Sequence, residues 1–395
     1  MSERNLDFDT LVPRKNTKSL KHDFSLKRGY PEDVLPLWVA DMDFRTSSYV
    51  EDALLTLAHH NIYGYTNNQA GDGFFEAVAG WMRRHHGWNV HPEWHVKTPG
   101  VCFALAAAVR SLTKPGDGVI IQQPVYYPFA RIVTENDRRL VVSELIHDND
   151  GRYRMDYGDF EKKIIAGDVK LFLLCNPHNP VGRAWTKEEL IRIGDICKRH
   201  GVYVFSDEIH EDFVWSGNHE VFQEARLDFR SITITATSPS KTFNLAGLQQ
   251  SNIFIPNPAI RSKFRHAIAA TGYDEPNAAG LAAAQAAYEH GDEWYEAARD
   301  YIRGNLEFLR EFLGKRLPVA EVVETEATYL AWIDLRPCGL SSKEIDERVI
   351  KKAGLWLDSG ELFGRSGEGF QRINVACPRS VLAEALERLA DAFAE

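Results

Sequence analysis

The chain has 395 residues, 44% hydrophobic and 26% charged, which is the balance of a globular protein with a core large enough for two or three domains. A formal net charge of −10 argues against nucleic acid as a partner, because phosphate backbones are met by clustered basic faces. Five cysteines (Cys102, Cys175, Cys197, Cys338 and Cys377) lie scattered without a C-x-x-C pair, which points to free thiols rather than a disulfide frame. The first residues lack an apolar signal-like core and no apolar run reaches membrane-spanning length, so a cytoplasmic protein with no membrane insertion is expected.

In chain order, residues 46–280 alternate helical patterns with short apolar strands, as a parallel α/β domain does. A helical apolar run over Phe103–Leu112 comes first, after Thr98-Pro99-Gly100-Val101-Cys102. Strands are predicted at Gly118–Gln122, Leu140–Val142, Leu171–Cys175, Val202–Phe205, Ser231–Thr235 and Asn252–Ile255. Lys187–His200 has helical spacing, with Leu190, Ile191, Ile193, Ile196 and Cys197 on one side. One long helix over about 277–317 is expected to cross to a smaller α+β domain containing Thr328–Leu335, Gln371–Ala376 and a closing helix from Ser380. The charged Lys343–Lys352 reads as an amphipathic surface helix.

Four segments concentrate chemistry. Lys241 stands just past the Ser231–Thr235 strand, in Ser238-Pro239-Ser240-Lys241-Thr242. Among hydroxyls and small residues, such a lysine suits a Schiff base with an aldehyde cofactor, provided burial or a nearby cation lowers its pKa. Asn176-Pro177-His178-Asn179-Pro180-Val181-Gly182 follows an apolar strand, and its two Asn-Pro pairs force an irregular turn. Open α/β sheets bind ligands at strand carboxyl ends, which places the Asn179 amide toward one; an ordinary strand-to-helix loop also fits each dipeptide. Val202–His210 runs a buried strand into Asp207 and Glu208, carboxylates that could cap a helix, bind a metal or pair with a protonated ring nitrogen. Arg372 lies in the apolar Gln371–Ala376, where its planar fork suits either a substrate carboxylate or a structural ion pair. An amine, an acid, an amide and a guanidinium form the set that pyridoxal 5′-phosphate (PLP) needs to act on an amino acid.

Other constellations are weaker. His85, His86, His91 and His95 cluster, but Gly87 and Pro92 break the helix that would align them, so a solvated turn and no metal are expected. There is no G-x-G-x-x-G after a strand, no P-loop glycines before Lys241-Thr242 and no G-x-S-x-G.

The order Asn-Pro-x-Asn-Pro-x-Gly, Ser-Asp-Glu-Ile-His, Ser-x-Ser-Lys and a late Arg resembles the fold type I aminotransferase superfamily. Leu35-Pro36-Leu37-Trp38-Val39-Ala40-Asp41-Met42-Asp43-Phe44, Tyr63-Gly64-Tyr65, Glu326–Trp332 and Ala376-Cys377-Pro378-Arg379 are similar to its MalY/PatB-type carbon–sulfur lyases, the cystathionine β-lyase branch. The resemblance runs from about Arg14 to the end. It implies an α/β aminotransferase-like fold, with a large PLP-binding domain over 46–280 around a mostly parallel sheet. A small α+β domain would combine residues 1–45 and 281–395.

The same resemblance implies roles. Lys241 would hold PLP and move the Cα proton, and Asp207 would keep the pyridine nitrogen protonated. Asn179 and His210 would sit at the ring's phenolic oxygen, where many aminotransferases have Tyr in place of His210. Tyr126 would stack on the ring, with Tyr127 as its alternative. Gly100, Val101 and Cys102 at a helix start, with Ser238 and Ser240, would surround the phosphate. Gln249 stands where the superfamily has an arginine, which leaves the phosphate's counter-cation open. Arg372 and Asn179 would hold the substrate carboxylate, and Trp38, Val39 and Ala40 would line the side-chain pocket. Tyr65 from a second subunit would reach the phosphate, making the site a property of a homodimer. The implied reaction is α,β-elimination from cystathionine or cysteine S-conjugates to pyruvate, ammonia and a thiol. The same groups would serve an aminotransferase of L-amino acids, and a PLP-binding regulator acting through a protein partner is the third reading.

Overall fold

The structure, a computed structural model, describes residues 2–67, 71–148 and 151–394. Seven strands form its central sheet: β1 (His95–Thr98), β2 (Gly118–Gln123), β3 (Arg139–Glu144), β4 (Val169–Cys175), β5 (Tyr203–Asp207), β6 (Thr233–Thr237) and β7 (Ser251–Phe254). Their order is β1-β7-β6-β5-β4-β2-β3. Strands β2 to β6 pair in parallel, while β7 runs antiparallel to both β6 and β1. The parallel strands are apolar without alternation because both faces are covered. Leu171, Leu173, Phe205 and Ile234 face a core with helices Val101–Leu112 and Pro258–Ala269. Phe172, Leu174 and Val204 face the opposite core with Phe160, Ile164, Leu190 and Ile193.

Three elements depart from the sequence-based expectation. β1 is an unpredicted strand; its His-Val-Lys-Thr reads as polar, and Lys97 is compensated by Asp72 at 3.0 Å. β6 begins at Thr233 because Leu227–Ser231 makes a 3₁₀ turn first. The expected single long helix is two, Ala278–His290 and Asp292–Arg316, broken at Gly291. A Cβ there would lie 2.4 Å from both the Ala287 carbonyl oxygen and the Phe243 ring, so the close packing at the bend needs glycine.

Of the histidine cluster, only His91, 54% exposed, lies in a solvated turn. His85 and His86 close helix Phe74–His86, with side chains 17% and 4% exposed and paired to Asp292 and Asp212. His95 is buried in β1 against Asn252. The segment joins a helix end to a sheet edge, so His85, His86 and His95 meet partners from distant parts of the chain, which local spacing does not register.

A second, antiparallel sheet orders Glu321–Val322, Leu330–Asp334, Phe370–Asn374 and Asp358–Ser359. Leu35–Pro36 pairs with Leu355–Trp356, and the Asn374 N–H donates to the Leu37 carbonyl at 2.9 Å, so the N-terminal segment lies along this sheet. Helix Arg379–Phe393 packs its Leu382, Leu386 and Leu389 into the same core as Leu306, Leu309 and Leu313. No helix among the described residues is long and apolar enough to cross a membrane.

Candidate active site

β4, β5 and β6 end side by side, with Cys175 opposite Asp207 and Asp207 opposite Ala236. The turns that follow carry Asn179, His210 and Lys241 to one place. Lys241 sits in the one-turn helix Pro239–Thr242, where the Ser238 hydroxyl accepts from the Ser240 N–H at 3.1 Å and donates to the Gln250 carbonyl at 2.7 Å. From there the Lys241 Nζ donates to the Ala40 carbonyl at 2.7 Å, and the Tyr329 hydroxyl donates to the same oxygen at 3.1 Å. Burial lowers the Lys241 pKa, Asp41 opposes the shift and Arg372 adds to it. A lysine poised to lose its proton is the kind that forms a Schiff base.

Asp207 is buried, accepts from the Ile209 N–H at 3.2 Å, and is pushed up to about 7 by burial. A carboxyl in that state gains most from a cationic partner. His210, also buried, has an Nδ1 with no hydrogen-bond partner, and burial holds its pKa well below the usual imidazole range. The Asn-Pro turn is tied in by the Tyr126 N–H, which donates to the Asn179 carbonyl at 3.0 Å. The Tyr126 hydroxyl faces Cys102, and its ring packs with Tyr127 and Phe129.

Of the two alternatives open for Arg372 at the sequence level, the structure shows the ion pair. Its Nη1 donates to Asn179 Oδ1 at 2.9 Å; Nη2 donates to the Trp38 carbonyl at 2.8 Å and to the Asp358 carboxylate. The guanidinium lies 4.8 Å from the Phe363 ring centre, and its Nε is buried without a partner. One side of the fork is therefore a structural ion pair, while Nε has no partner. The Trp38–Ala40 segment is fixed by Asn374, whose Nδ2 donates to the Val39 and Asp41 carbonyls, each at 2.6 Å.

Gly100 (φ +134°) starts helix Val101–Leu112, which lacks a side-chain cap, and a Cβ on Gly100 would meet nothing within 4 Å. Free N–H groups at an open helix start suit an anion, with Ser238 and Ser240 on the neighbouring turn. Cys102, in the first turn, is exposed. Gln249 is exposed in a left-handed turn, and Tyr65 is 95% exposed beside Ile62 and Tyr63, themselves 69% and 65% exposed. The sequence reading missed Asp358, Phe363, Asn374 and Tyr329. Asp358 carries a detectable signal only through the sheet, where it pairs directly opposite Arg372.

Residues 32–389 match the family model described as aminotransferase class I and II. The chain belongs to that family. It is 41% identical to cystathionine β-lyase PatB of Bacillus subtilis over 385 residues, covering 97% of this chain and 99% of that protein. Among solved structures, cystalysin from Treponema denticola, which contains a pyridoxal 5′-phosphate cofactor, superposes with a TM-score of 0.93 at 38% identity, covering 98% of each chain. The PLP-bound C–S lyase from Staphylococcus hominis gives a TM-score of 0.90 at 36% identity, covering 98% of this chain and 99% of that one. The fold is thus the PLP fold type I expected from the sequence.

Proposed function

We infer that this protein is a PLP-dependent carbon–sulfur β-lyase that cleaves cystathionine or related cysteine S-conjugates. The observation that carries the reading is the convergence of Lys241, Asp207, Asn179 and Arg372 at three adjacent strand ends and the second sheet, in a chain similar along its length to a cystathionine β-lyase. The residues fit PLP by their own chemistry: a lysine with lowered pKa, a carboxyl raised by burial, unpartnered His210 Nδ1, and an open helix start at Gly100.

Bound there, PLP supplies an electron sink for the negative charge formed at the substrate Cα. Asp207 would hold a proton on the ring nitrogen, and Asn179 and His210 would serve the phenolic oxygen. Tyr126 would pack on the ring, and Gly100, Val101, Cys102, Ser238 and Ser240 would hold the phosphate. Arg372 orients the substrate carboxylate through Nε, while Asp358 and Asn179 keep the guanidinium in register. Lys241, its pKa lowered by burial, would take the Cα proton. Trp38, Val39 and Ala40 border the departing sulfur group. Loss of the Cα–H and Cβ–S bonds, followed by hydrolysis, yields thiol, pyruvate and ammonia.

The exposed Ile62, Tyr63 and Tyr65 support a homodimer in which Tyr65 of a second copy completes the phosphate site. Free cysteines throughout the chain suit a reducing, cytoplasmic setting.

Incubation with PLP and L-cystathionine, without a keto acid, tests the reaction. Repeated release of pyruvate and thiol per active site is expected. Conversion of the cofactor to its amine form, with turnover only when a keto acid is added, identifies an aminotransferase instead.

A further inference from the structure

Behind the lysine site, the segment after β5 buries three carboxylates among two imidazoles. The donor atoms of His86, Glu211 and Asp212 lie within 4.8 Å of one another, and so do those of Glu208, Glu211 and His219. His86 Nε2 is 2.8 Å from Asp212 Oδ1, and His219 Nε2 is 2.7 Å from Glu208 Oε2. Asp212 also accepts from the Trp81 indole at 3.1 Å and from Thr242. Glu208 accepts from the Ser206 hydroxyl at 2.7 Å and the Phe222 N–H at 3.0 Å.

Glu211, common to both groups, is different. It is 3% exposed and its Oε2 has no hydrogen-bond partner. A buried carboxylate without a partner is costly, and here two further carboxylates stand beside it. A cation between them removes both penalties.

We propose that His86, Glu211 and Asp212 form a divalent transition-metal site, of the zinc type, separate from the lysine site. Mixed imidazole and carboxylate donors favour zinc and its first-row neighbours over calcium or magnesium, which take oxygen ligands. The ion sits on the Asp212 side of Glu211, because a cavity of about 190 Å³ reaches His86, Glu211, Asp212 and His219 there, whereas Glu208 does not line it. That cavity supplies an entry path and room for water at the remaining coordination position. The ion is a brace: Asp212 bonds Thr242, the neighbour of Lys241, and Glu211 follows His210 directly. The inference does not depend on the lyase reading.

The PLP-loaded protein, stripped with a chelator and dialysed, is titrated with Zn²⁺ alone against a chromophoric chelator. Glu211→Gln, which keeps the side chain's size and loses its charge, is titrated in parallel, with its PLP absorbance and melting temperature confirming the fold. One zinc per wild-type chain is expected. Affinity in the variant should fall roughly tenfold or more, since losing a ligand costs no less than losing an outer-shell partner. Anomalous diffraction should place the ion about 2.0–2.2 Å from His86 Nε2 and a Glu211 oxygen. No retained zinc, equal retention by Glu211→Gln, or an ion found only on surface histidines overturns the proposal.

Discussion

At the scale of single residues, Lys241 and Arg372 make separable demands. In the proposed reaction Lys241→Ala removes the amine that would join PLP and move the Cα proton, so the visible absorbance of lysine-bound cofactor and pyruvate release should both vanish. Arg372→Ala should raise KM by roughly ten- to a hundredfold, the loss of one or two charged hydrogen bonds worth about 1.5–3 kcal/mol. It also strands Asp358, a buried carboxylate whose pKa burial already raises against the pull of Arg372. Breaking such a pair costs about 3–5 kcal/mol. The double variant Arg372→Ala/Asp358→Asn should therefore regain melting temperature without regaining KM. Asp207 adds a pH dependence of known sign. Its carboxyl is raised from 3.8 to about 7 by burial, so without cofactor its contribution to stability is present at low pH and is lost as pH rises through about 7. A protonated ring nitrogen lifts that penalty. The gain in melting temperature on adding PLP should therefore grow between pH 5.5 and 7.5 in the wild type and lose this growth in Asp207→Asn.

At the scale of elements, the N-terminal segment is a strap across the site. Arg14 bonds both Asp41 and Asp43, and Lys21, fully buried, lies 2.7 Å from Asp43. Burial alone would raise the Asp43 carboxyl, but Lys21, His22 and Arg14 hold it well below the usual range. That stabilisation is present at neutral pH and fades as pH falls below about 4. Lys21→Met should lower stability at pH 7 by up to about 3–5 kcal/mol, read by denaturant unfolding, with Arg14 still pairing Asp43. This strap also marks the limit of what the sequence discloses. The parallel strands are legible because burial on both faces leaves continuous apolar runs, and the Asn-Pro turn, Asp207 and Lys241 are legible because each follows such a run. Lys21 is not, since a lysine in a charged segment reads as solvated until Asp41 and Asp43 are brought to it. Asp358 is silent for the same reason, acquiring meaning only across the sheet from Arg372, and β1 hides because its lysine is neutralised by Asp72 from another element.

At the scale of the whole molecule, the reading requires two chains for one site. Tyr65 is 95% exposed beside the exposed Ile62 and Tyr63, which suits a role against a second copy. In the proposed closed two-fold pair, each Tyr65 would reach the phosphate of the opposite site. Mixed dimers test this pairing without a mass measurement. Lys241→Ala homodimers lack the amine at both sites, and Tyr65→Ala homodimers bind PLP weakly at both. When the two variants are unfolded together and refolded, about half of the dimers are mixed if pairing is random. Each mixed dimer carries one site with both defects and one with neither. Activity should thus return to roughly a quarter of the wild-type value at limiting PLP, although neither parent is active under those conditions. If Tyr65 served its own chain, every site in the mixture would keep exactly one defect and no activity would return.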